Sequence, residues 1–90
     1  MRFATVIPII LAALSATAQA ETCQAILDAE YSLFSGTDLC QRCDNRCTPE
    51  DGWCWRQSLD LVDYTRRNCI NYGLEAGYCK DYAINDVCSN

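Results

Sequence analysis

Ninety residues carry eight cysteines, no histidine, seven basic and twelve acidic side chains, for a formal net charge of −5. The acidic balance disfavours binding to phosphate backbones or anionic membranes, which reward clusters of Lys and Arg, and so disfavours nucleic acid, membrane insertion and a cationic lytic peptide. Without histidine, serine and cysteine hydrolase triads, histidine-based phospholipases and most zinc enzymes lack their usual base or ligand.

The first twenty residues read as a secretory leader. Arg2 supplies a positive start, Phe3 to Leu14 an apolar stretch too short to span a bilayer, and Ala18-Gln19-Ala20 a small-x-small cleavage site. Cleavage before Glu21 leaves one domain, residues 21–90, with six basic and twelve acidic side chains and a net charge of −6. Outside cysteine it offers eleven Ile, Leu and Val, eight aromatics and four Ala, which is one thin core. Cys23, Cys40, Cys43, Cys47, Cys54, Cys69, Cys79 and Cys88 therefore read as four disulfides formed in an oxidising compartment. Zinc on Cys40, Cys43, Cys47 and Cys54 is the competing reading, because C-x2-C can open a metal site. The secretory route and the missing histidine weigh against it, and no metal or other cofactor is expected.

A first helix is predicted from Thr22 to Phe34, where Cys23, Ile26, Leu27, Tyr31 and Phe34 recur at helical spacing before Ser35-Gly36. Thr37-Asp38 can cap a short second helix with Leu39, Cys40, Cys43 and Cys47 on one face and Asp38, Arg42 and Arg46 on another. Thr48-Pro49-Glu50-Asp51 has the threonine, proline and early acids of a helix start, opening a third helix that can run to Tyr72 before Gly73. On a helical wheel Cys54, Trp55, Ser58, Leu59, Val62, Thr65, Cys69 and Ile70 face inward. Arg56, Asp60, Asp63, Tyr64, Arg67 and Asn71 face outward. Arg66 and Glu30 are charges beside apolar stripes, either snorkelling from an edge or pairing between helices. In the tail Cys79, Tyr82 and Ala83 suit a short helix, with Val87-Cys88 a pinned extended end. The fold expected is a small, mainly helical, disulfide-stapled domain of about three helices. The alternative is a small disulfide-rich α+β fold with strands at Tyr78 to Tyr82 and Ile84 to Cys88.

Eight cysteines allow 105 pairings, and sequence does not select among them. Equidistance from a turn matches Cys23 with Cys47 around Gly36 and Cys43 with Cys54 around Thr48-Pro49. Cys40, Cys69, Cys79 and Cys88 stay unassigned.

For catalysis, Asp60 and Asp63 share a helical face, but glycoside hydrolysis needs two carboxyls across a cleft that seats a sugar. A solvated face paired with Arg56 and Arg67 is the simpler account, and no enzyme is expected. Trp53 sits at a loosely constrained helix start, where an indole can stack on a sugar ring or a partner protein. Tyr64 stands alone among charges on the outer face of the third helix. Interfaces favour Tyr and Arg, so Tyr64, Arg67 and Trp53 are the partner-binding candidates.

The alanine-rich leader ending Ser15-Ala16-Thr17-Ala18-Gln19-Ala20, the lack of an evident propeptide and the acidic eight-cysteine mature chain together resemble the small secreted cysteine-rich effectors of filamentous fungi. The likeness is one of class. The C-x-C element of the CFEM family is missing, and no aromatic stands two residues before any cysteine, as it does in some mildew and rust effectors. The resemblance implies a secreted, non-enzymatic virulence protein that binds a host or cell-wall protein or glycan to aid colonisation. A toxin or antimicrobial peptide, and an inhibitor or structural protein of the secretory space, are the alternatives.

Overall fold

The computed structural model describes residues 21–89. The predicted leader lies outside the described residues. Helix α1 spans Cys23–Glu30, a 3-10 turn Ser32–Phe34, α2 Leu39–Arg42, α3 Gly52–Asn71 and α4 Ala76–Cys88. The described residues contain no strand, so the mainly helical reading holds and the α+β alternative does not. Among the described residues there are four α-helices rather than three.

The Thr22 hydroxyl accepts from the Ala25 amide at 3.2 Å and so starts α1. The helix stops short of Phe34 because Tyr31 leaves helical backbone geometry, at φ −133° and ψ 49°. The tighter 3-10 turn that follows re-aims the chain and sinks Phe34 into the core at 1 % exposure. Gly36 then turns the chain at φ +83°, a conformation that favours glycine.

Helix α2 is a single turn instead of a run to Cys47. Leu39 is buried, and beyond Arg42 the side chains have divergent destinations that one helical stripe cannot serve. The Cys43 sulfur goes inward to α4, the Arg46 guanidinium donates to the Val87 carbonyl at 2.9 Å, and Cys47 meets the start of α3. Arg42 reaches the same end of α4, where it bonds Asn85 and, at 3.2 Å, the Ser89 hydroxyl. Two cations thus sit at the C-terminal end of α4, where helix carbonyls favour positive charge.

Helix α3 begins three residues later than its proline suggested. Asp51 is the cap, its carboxylate accepting from the Cys54 amide at 3.1 Å. The Thr48 carbonyl instead takes the buried Trp55 indole N–H at 3.1 Å. Gly52 is buried beneath Glu21, and a Cβ there would run into that carboxylate side chain. Gly73, at φ +91°, closes the helix.

Helix α4 is the largest departure from expectation, with thirteen residues where a short helix and an extended end were predicted. Glu75 caps it through the Tyr78 amide at 3.0 Å, and Cys79, Ala83, Ile84, Val87 and Cys88 form its buried stripe. Joined to α3 by a short turn, it packs back along that helix as an antiparallel hairpin, the most extensive contact between elements. The core gathers Ile26, Leu27, Phe34, Leu39, Trp55, Leu59, Val62, Ala83, Ile84 and Val87 with three half-cystines.

The four disulfides are Cys23–Cys40, Cys43–Cys88, Cys47–Cys54 and Cys69–Cys79. The predicted Cys23–Cys47 and Cys43–Cys54 pairs are corrected, because both assumed a long second helix folded back on its neighbours. With α2 one turn long, Cys40 is the residue beside Cys23. Cys43 faces the end of α4.

Candidate functional surface

Charged side chains first fix how α1 sits on α3. Arg56 binds Glu21 and donates to Glu30 at 2.7 Å, holding both ends of α1. Its guanidinium holds the Glu21 carboxyl below its ordinary pKa, and the two carboxylates raise the arginine's own. The alternative of a Glu30 to Arg66 pair between helices does not form. Arg66 instead bonds Asp63 at 3.2 Å, within its own helix.

Tyr31, at the end of α1, donates its phenol proton to Asp60 of α3. Burial, then the hydrogen bond and charge of Asp60, push its pKa up to about 12. Asp63 holds Arg66 and Arg67, the latter at 3.1 Å. Both carboxylates proposed as a solvated face are therefore tied to neighbours, Asp63 to Arg67 as expected and Asp60 to a tyrosine. Arg56 turns to α1.

Among the described residues no group of three or more His, Cys, Asp or Glu side chains could hold a metal ion. The zinc alternative also fails on pairing: Cys40, Cys43, Cys47 and Cys54 are all half-cystines. No helix among the described residues is long and apolar enough to cross a membrane.

Two partner-binding candidates come together. Trp53, 74 % exposed, and Tyr64, 56 % exposed, line one open depression of about 750 Å³ with Gln57, Asp60, Leu61 and Arg46. Their spacing of three helical turns on α3 puts them in one line. Arg67 is exposed beside that line, on Asp63, and does not enter the depression.

A second depression, about 420 Å³, lies at the α3–α4 end. Tyr72, Leu74, Tyr78 and Tyr82 surround it with Thr65, Asn68 and Asp86, and the Tyr78 and Tyr82 rings stack at 6.2 Å. Sequence reasoning missed this group because it left the tail without a full helix. The signal was present: Glu75 three residues before Tyr78 is a cap spacing, and Tyr78 and Tyr82 are one turn apart.

Among the described residues eight large hydrophobic side chains are exposed, and all but Leu33 line one of these two depressions. The comparisons with known proteins give no match: no family model, curated protein or solved structure resembles the chain.

Proposed function

We propose that this is a secreted, non-enzymatic effector that binds a host or cell-wall protein or glycan through the outer faces of α3 and α4. The carrying observation is where the aromatics lie. Trp53, Leu61, Tyr64, Tyr72, Leu74, Tyr78 and Tyr82 are exposed around two depressions on α3 and α4, and none of them belongs to the core. Large apolar patches on a small soluble domain mark contact surfaces, and Trp and Tyr are favoured anchors there. Four crosslinks support the same reading, since they hold such a tract in one shape in an oxidising compartment.

The test is capture of the oxidised protein on insoluble wall polysaccharide and on host extract, for the parent and for Trp53→Ala and Tyr64→Ala. Both side chains are exposed, so each variant should melt within a few degrees of the parent, matching a stability change of about 0.5 kcal/mol or less. Capture or virulence activity should fall at least about tenfold, the loss of one anchor worth about 1.4 kcal/mol. Folded variants that capture as well as the parent would remove this tract from the function.

A further inference from the structure

The outermost line of a surface helix ordinarily carries its charges. On α3 a second exposed line, beside the charged one, runs Trp53, Gln57, Leu61, Tyr64, Asn68 and on to the C-cap Tyr72, over about 28 Å of axis at 1.5 Å per residue. The charges Arg56, Asp63 and Arg67 stand to one side of it, with Asp60 at its edge.

This line has a second property: it is chemically palindromic. About a midpoint between Val62 and Asp63, Trp53 mirrors Tyr72, Gln57 mirrors Asn68, and Leu61 mirrors Tyr64. Aromatic answers aromatic, amide answers amide, and apolar answers apolar. A twofold-symmetric contact requires such a surface, because each residue meets the mirror position of the other copy. Trp53 and Gln57, which line one depression, reflect onto Tyr72 and Asn68, which line the other.

From this self-complementarity we infer that the outer face of α3 takes a second copy of the same chain, antiparallel, about a twofold axis beside Leu61 and Tyr64. Each copy's Trp53 depression then lies against the tyrosine depression of the other, and the amides of Gln57 and Asn68 meet across the contact. Charge selects the direction. Antiparallel pairing sets Arg67, with 60 % of its side chain exposed, about two residues along the axis from Asp60 of the second copy. A parallel twofold pair would set Arg67 and Asp60 against the opposite flank of the other helix, away from each other. The inference rests on the proposed reading of this tract as a contact surface and names its first occupant, so a host or wall component would compete with the second copy for it.

Sedimentation equilibrium of the oxidised mature chain, over a wide concentration range, is the test. A monomer–dimer equilibrium is expected. Leu61→Arg, at an exposed position, should weaken it at least about tenfold while leaving the far-UV spectrum and melting temperature in place. Arg67→Asp and Asp60→Arg should each weaken it, and the double exchange should recover most of the loss if the two face each other. A monomeric mass at all concentrations to about 1 mM, where association is too weak to be specific, overturns the inference. So does a dimer indifferent to Leu61→Arg. A monomer whose capture still depends on Trp53 and Tyr64 would refute the dimer and keep the binding reading. A dimer whose Trp53 and Tyr64 variants capture like the parent would do the opposite.

Discussion

Tyr31 is a residue whose importance no sequence pattern reveals: periodicity made it a core position of the first helix, whereas its ring packs on the core and its hydroxyl reaches Asp60. The folded protein favours the protonated phenol, with its pKa pushed from 10.0 to about 12 by burial and the neighbouring carboxylate. That contribution is fully present below pH 10 and is lost as pH rises from there through about 12, since the unfolded phenol ionises first. Tyr31→Phe keeps the ring and removes the proton. Denaturant unfolding should place it within about 1 kcal/mol of the parent at neutral pH, because the lost bond is solvent-exposed. In the alkaline window it should lose less stability than the parent; equal losses would mean that Tyr31 does not couple to Asp60. Residue direction was legible on the wheel, which put Tyr64 and Arg67 outward and Trp55 inward, as found. Axial level was not. Glu21 lies over Gly52 and so brings α1 level with Arg56, leaving Arg66 about 15 Å farther along α3.

At the scale of elements, caps and periodicity located α1 and α3 to within a few residues, because their buried stripes are long and their polar starts are local. Helix α4 escaped for a physical reason. Its exposed side carries Tyr78 and Tyr82, so polar and apolar residues do not separate cleanly around it. Disulfide partners are legible only where both flanking helices are known. The equidistance rule does describe Cys69–Cys79 across the α3–α4 turn, and it fails where α2 is one turn long. The pairing also ranks the crosslinks. Cys43–Cys88 closes a separation of 45 residues and ties α2 to the end of α4, whereas Cys47–Cys54 spans 7. Chain entropy assigns them about 4 and about 2.4 kcal/mol. Cys43 and Cys88 are also buried, so their truncation adds a packing loss. The double variant Cys43→Ala/Cys88→Ala should therefore melt at least about 7 °C below Cys47→Ala/Cys54→Ala in matched thermal scans. The reverse order would show that the short staple governs the α3 start and that loop length is not the controlling quantity.

For the molecule as a whole, crosslinks and core are not separable. Of the fifteen buried hydrophobic residues among those described, five are half-cystines, so the sulfurs are both the staples and a third of this interior. Ten other side chains form an interior too small to offset the chain entropy of a domain this short with much margin. Four disulfides at typically about 2 to 4 kcal/mol each match the entire stability of an ordinary domain, about 5 to 15 kcal/mol. Their removal should leave nothing to fold. The native protein is accordingly expected to show no reactive thiol, all eight cysteines being paired. Reduction in denaturant should release eight. After the denaturant is removed with the thiols kept reduced, near-UV signals of Trp55 packing should vanish and the thermal transition should lose its cooperativity. Helical signal in the far-UV should fall as well, since α1 and α2 are too short to persist alone and α3 draws its stability from packing. A reduced chain that still unfolds in one sharp transition would show that the ten-residue core suffices and that the crosslinks serve resistance to proteolysis.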